Sequence, residues 1–187
     1  MSDSDSDYAL VVIDMQEAFR DASSMWCVPR YGEAEANIGR LVEHTAGHPV
    51  WTRFVRDPDE KGAWSDYYMR WHQLRVPPDA QEWELTTPAA DGDEVLDLPT
   101  FSKWGPELDA MTADAGKLVV CGVATDCCVL GTVLGAADAG RSVTVVEDAC
   151  AGVTDEAHQQ ALDLMGLLAP MVTLTGTEQF IAEHGTA

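Results

Sequence analysis

Lysine is scarce in this chain: only Lys61, Lys103 and Lys117 occur among 187 residues. Lysine and arginine together number 11 against 32 aspartates and glutamates, a formal charge of −21. A surface of that sign repels nucleic-acid phosphates and anionic lipid headgroups, so neither is an expected partner. Long apolar runs are also missing, and none reaches the ~18 residues of a membrane-spanning helix. The amino terminus lacks the basic and apolar start of a signal peptide. Residues 1–7 alternate Ser and Asp after the initial Met and read as a short disordered acidic tail. The five cysteines are odd in number and have no framework spacing. That excludes a disulfide-held fold and predicts free thiols in a cytoplasmic protein. The five histidines, His44, His48, His72, His158 and His184, form no ligand-like cluster, so no metal and no other cofactor is expected. The acid excess suits either a salty cytoplasm, where such charges are screened, or simply an acidic soluble surface.

Apolar residues are plentiful at 46% of the chain, enough for one packed domain over residues 8–187. Residues 8–14, YALVVID, form a continuous apolar run ending in an acid. This suits a buried parallel strand whose carboxyl end opens onto a site. Further strands are predicted at 49–55, 93–98, 117–122, 142–147 and 171–175. Helices are predicted at about 33–46, 106–115, 127–139 and 155–168, the last with Thr154 as its N-cap. Residues 56–90 differ from the rest, being rich in proline and holding Trp64, Trp71 and Trp83 with Tyr67 and Tyr68. An excursion of this length reads as a functional loop or lid with a short helix in it. Strand and helix otherwise alternate without an internal repeat. That argues for an α/β three-layer sandwich, a parallel sheet with helices on both faces.

In such sheets ligands bind beyond the carboxyl ends of the strands. Asp14 ends the first predicted strand, Lys103 follows the third, and Cys127 and Cys128 follow the fourth at a predicted helix start. A helix N-terminus and a nearby ammonium both lower a thiol's pKa, and a carboxylate can take its proton. Each residue alone has a plainer reading, as a turn cap, a solvated cation or a core thiol. Their joint placement at strand ends is more specific, and it describes a nucleophile with two charged partners. Cys121, inside a predicted strand, reads as core.

The segments V12-I-D-M-Q-E-A-F19, Lys103 and G122-V-A-T-D-C-C-V129, followed by E147-D-A-C-A-G152, resemble the isochorismatase-like cysteine hydrolases. The resemblance spans residues 8–175. It implies a six-stranded parallel sheet of order 3-2-1-4-5-6, with Cys128 as nucleophile and Asp14 and Lys103 as partners. It also implies a cis peptide between Val123 and Ala124, with the Ala124 and Cys128 N–H groups facing the substrate oxygen. Phe19 matches a residue that usually lines the pocket. The histidines that bind metal in nicotinamidases have no counterpart in T52-R-F-V-R-D57. The segments 62–71 and 101–105 look most like the streptothricin-hydrolase-like branch. The implied activity is metal-independent cleavage of a C–N bond in a small amide, ureide, imide or lactam, through a thioester. The implied assembly is a homodimer or homotetramer. Two other readings stay open: an isochorismate-type vinyl-ether hydrolase, which does not need the cysteine, and a non-catalytic binding protein of the same fold.

For substrate contacts, Trp64, Tyr68 and Trp104 either stack on a flat ligand or pack the excursion onto the body. Arg53 and Arg56 either meet an anionic substrate or pair with neighbouring acids.

Overall fold

The computed structural model describes residues 8–45 and 48–184, so the tail inferred for residues 1–7 lies outside it. Six strands, β1 (Tyr8–Ile13), β2 (Val50–Phe54), β3 (Glu94–Leu98), β4 (Lys117–Val123), β5 (Ser142–Ala151) and β6 (Val172–Thr175), form one sheet. Their order is β3-β2-β1-β4-β5-β6, and every pairing is parallel. Seven α-helices connect and flank them among the described residues: α1 (Glu17–Arg20), α2 (Tyr31–His44), α3 (Ala63–Arg70), α4 (Pro106–Met111), α5 (Leu130–Asp138), α6 (Asp155–Gly166) and α7 (Thr177–His184). No helix of the described residues is long and apolar enough to cross a membrane.

The central strands are buried because helices cover both faces, which is why β1 and β4 are apolar at nearly every position. The two strands run in direct register from Tyr8–Lys117 to Ile13–Gly122. Gly122 is required there. Its φ is +117°, and a Cβ would lie 2.1 Å from the Ile13 carbonyl oxygen. Beyond this contact the chain order reverses from β2 to β4, and the crevice at that switch point is where both strands deliver their last residues.

The predicted elements differ from the observed ones in two instructive places. β5 continues to Ala151, past Glu147 and Asp148, whose exposed side chains resemble a strand end. The helix predicted from residue 127 begins as a wide π-turn over Thr125–Val129, and α5 starts only at Leu130. The excursion holds the short helix expected of it, α3, together with two 3₁₀ turns, His72–Leu74 and Gln81–Trp83. Thr154 caps α6, accepting the Ala157 N–H at 3.0 Å.

Gln16 ties the excursion down. Its fully buried amide donates to the Phe54 carbonyl at 3.1 Å and the Trp83 carbonyl at 2.7 Å. Its oxygen accepts the Phe54 N–H at 2.8 Å. The Glu17 N–H to Glu84 and Thr86 N–H to Met15 bonds flank it, with an antiparallel bridge between Gln16 and Leu85. Backbone groups that would otherwise be orphaned beyond the sheet are satisfied by one side chain.

Candidate active site

Asp14 leaves β1 with φ +48°, a left-handed conformation that a short polar residue adopts more readily than a bulky one. Its N–H meets the Thr52 carbonyl at 3.2 Å, and the Thr52 hydroxyl donates to Oδ1 at 2.7 Å. The other carboxylate oxygen, Oδ2, is 3.1 Å from the Lys103 ammonium. Both side chains are fully buried. Oδ2 nevertheless accepts no aligned hydrogen bond, so Lys103 meets it as a charge and a lone pair stays open.

Lys103 is fixed from several sides. Its ammonium donates to the Thr100 carbonyl at 2.6 Å and lies 4.7 Å from the centre of the Phe54 ring. Its backbone N–H donates to Thr132 Oγ1 at 2.9 Å, and that hydroxyl donates to the Cys128 carbonyl at 2.7 Å. Thr132 thus joins the lysine loop to the cysteine turn.

Cys127 and Cys128 lie in the π-turn that follows the Val123–Ala124 peptide, which is cis. Cys128 is buried and Cys127 half-buried. The turn is held by the Ala124 carbonyl, which accepts from Cys127 at 3.0 Å and Val129 at 3.2 Å. Asp126 Oδ1 accepts the Val153 N–H at 2.9 Å, and Thr125 bonds the His158 ring at 2.8 Å. The expectation that the Cys128 thiol titrates low is corrected. Its hydrogen bond to Cys127, burial and the Asp14 charge together hold it well above the usual thiol value, against the pull of Lys103. The low-titrating partner is Cys127, which the bond from Cys128 stabilises as thiolate.

A pocket of about 450 Å³ opens over the two thiols. Phe19, Trp26, Phe54, Tyr67, Trp71 and Phe101 form its aromatic walls. Ala124, Asp126, Cys127 and Cys128 line the side made by the π-turn, and Met25, Cys27, Arg70 and Val153 complete it. Asp14 and Lys103 lie behind the wall, close enough for their charges to act on both sulfurs. Val123 is buried in the strand and does not line the pocket.

Of the expected substrate contacts, only Phe19 lines this pocket, and the other four are corrected. Arg53 points to the neighbouring strand, where its guanidinium grips its register partner Asp97 at 2.7 and 2.5 Å. Trp64 and Tyr68 are not among the lining residues, although both rings touch that of the pocket-lining Tyr67. Trp64 packs on Phe54 and Phe101, and Tyr68 is buried under the Arg56 guanidinium. Trp104 packs against Gly135 and Arg141. Arg56 pairs with Glu60. Of the other lining residues, Tyr67 and Trp71 fall within the aromatic excursion singled out in the sequence, whereas nothing in the sequence pointed to Trp26 or Arg70.

Among the described residues, no three of His, Cys, Asp or Glu are grouped so as to hold a metal ion. The residues after β2, where a histidine set would be needed, are instead engaged as above.

A family model, the isochorismatase domain, matches residues 8–179. The chain belongs to the isochorismatase family. Its fold is shared by a cysteine hydrolase from Pseudomonas syringae pv. phaseolicola 1448A, at 18% identity and a TM-score of 0.82, covering 97% of this chain and 94% of that one. An isochorismatase family protein from Desulfovibrio vulgaris aligns at 21% identity and TM-score 0.79, over 94% and 96% of the two chains. A nicotinamidase from Bacillus subtilis aligns at 18% and 0.72, over 90% and 99%. No curated protein sequence matches the chain. At these identities the solved structures speak for the isochorismatase fold alone, and the chemistry must be argued from the residues.

Proposed function

We propose that this isochorismatase-family protein is a metal-independent cysteine hydrolase that cleaves a non-peptide C–N bond of a small amide, ureide, imide or lactam. The observation that carries this reading is the open lone pair on Asp14 Oδ2, buried beside Lys103 and near enough for its charge to act on both thiols. A carboxylate in that state can accept a proton, and the thiol that needs to lose one is Cys128. Asp14 takes the Cys128 proton, and the positive charge of Lys103 offsets the thiolate left behind. The sulfur attacks the carbonyl carbon, and the developing oxyanion is met by the N–H groups of Ala124 and Cys128. Protonated Asp14 returns its proton to the departing nitrogen, so ammonia or an amine leaves and a thioester remains. Water attacks the thioester, Asp14 takes the water proton, and the carboxylic acid product departs with the thiol restored. Cys128 rather than Cys127 is taken as the nucleophile because it matches the family's cysteine by its place in G122-V-A-T-D-C-C-V129; Thr132 also couples its backbone to the lysine loop.

The finer placement in the streptothricin-hydrolase-like branch rests on segments 62–71 and 101–105, which meet in one aromatic cluster with Trp64 and Phe101 centroids 4.9 Å apart. We place the enzyme in the cytoplasm, on its free cysteines, as a homodimer or homotetramer. Incubation with a panel of small amides, ureides and lactams should release ammonia or amine. Intact-mass spectrometry should find an acyl adduct on Cys128. Release that survives in Cys128→Ala would refute the mechanism.

A further inference from the structure

In a chain with 32 acidic residues, an arginine without an acid beside it is conspicuous. Arg20, Arg30, Arg40, Arg53, Arg56, Arg75 and Arg141 each pair with a carboxylate. Arg70 does not. Among the described residues its guanidinium has neither a carboxylate nor a hydrogen-bond acceptor, and it lines the pocket over Cys128. It is not left to wander: its guanidinium carbon lies 4.9 Å from the centre of the Trp71 ring, itself a pocket wall. Stacking of this kind holds the fork in place while leaving its edge donors free. Its position in the last turn of α3 complements the helix dipole, which accounts for a cation there but not for one without partners. The other charged side chain of the pocket lining, Asp126, already accepts the Val153 N–H.

We propose that Arg70 is the specificity-determining residue of the pocket and that the substrate is an amide or ureide bearing a carboxylate. The carboxylate engages the Arg70 fork, the flat or apolar body lies between the aromatic walls, and the carbonyl reaches Cys128. This rests on the hydrolase reading for the bond cleaved, but the recognition stands separately. Bidentate carboxylate binding by a planar guanidinium is geometrically selective, and lysine reproduces only its charge. The small pocket volume favours a compact ligand.

The test uses matched probes, 4-carbamoylbenzoate against its uncharged counterpart terephthalamide. Binding to the Cys128→Ala protein is read by tryptophan fluorescence, and ammonia release is read with the intact enzyme. The carboxylate probe should bind at least about 10-fold tighter, and Arg70→Gln should erase that preference, a change of about 10- to 100-fold in the ratio. Arg70→Lys should retain part of it. Lys61→Gln, which removes the same charge from an exposed site on the same excursion, should leave the ratio intact. Arg70-dependent binding without ammonia release would sink the hydrolase reading and spare this one. Equal binding of both probes, binding of neither, or a preference that survives Arg70→Gln would overturn it.

Discussion

Asp14 Oδ2 and Lys103 Nζ stand 3.1 Å apart with neither side chain reaching solvent. A buried pair of this kind is poor evidence for net stability, because desolvation offsets much of the attraction. Breaking it is another matter. Lys103→Met should cost about 3–5 kcal/mol by leaving the Asp14 charge buried without compensation. The double variant Asp14→Asn, Lys103→Met should recover most of that loss while remaining inactive. Urea unfolding of the three proteins measures this, and a double variant no more stable than Lys103→Met would contradict it.

The thiol pair makes a pH prediction. The Cys128 thiol is held above its ordinary value chiefly by its bond to Cys127 and by burial. Cys127→Ala removes the first of these causes. The pH midpoint for iodoacetamide alkylation of Cys128, located by peptide mass spectrometry, should therefore move down. Lys103→Met removes the one cause acting in the opposite direction, so its midpoint should move up. Either midpoint moving the other way would show that the couplings are misassigned.

Gly122→Ala should be severely destabilised. The new methyl group would sit 2.1 Å from the Ile13 oxygen at a φ of +117°, a backbone contact that no side-chain rotation relieves. The expected loss is at least about 3 kcal/mol, or a fall in Tm of roughly 6–12 °C for a chain of this size. A variant melting within a degree or two of the parent would disprove the argument.

Much of this architecture was legible in the sequence, and the reason is burial. Strands covered on both faces must be apolar throughout, so β1 and β4 announce themselves. Asp14 and Lys103 stand out because they follow strands and are the wrong residue types for a core, and Cys128 stands out by its place in G122-V-A-T-D-C-C-V129. Direction was not legible. Trp64 and Tyr68 signal large contacts, but composition does not say which rings of an aromatic cluster meet the cavity, and the structure packs both of these against other rings instead. The π-turn over residues 125–129 was hidden because nothing in Thr-Asp-Cys-Cys-Val distinguishes a wide first turn from the start of a regular helix. The thiol shift was hidden because the bond between neighbouring sulfurs opposes the lysine that the sequence suggested.

Gln16 offers a last measurable point. Gln16→Leu would leave the Phe54 N–H, the Phe54 carbonyl and the Trp83 carbonyl without their partner. A loss of about 2–4 kcal/mol is expected, read from the urea midpoint. The variant should also admit protease near residues 75–90 sooner than the parent.

That one amide has a further consequence. It anchors the excursion two residues from Asp14, while Tyr67, Arg70 and Trp71 of that segment line the pocket. Charged pair and aromatic lining are thus built as separable parts that meet at one short stretch of chain, Met15–Glu17. Mutation can remodel the loop and alter the pocket without disturbing the carboxylate, the ammonium or the sulfur.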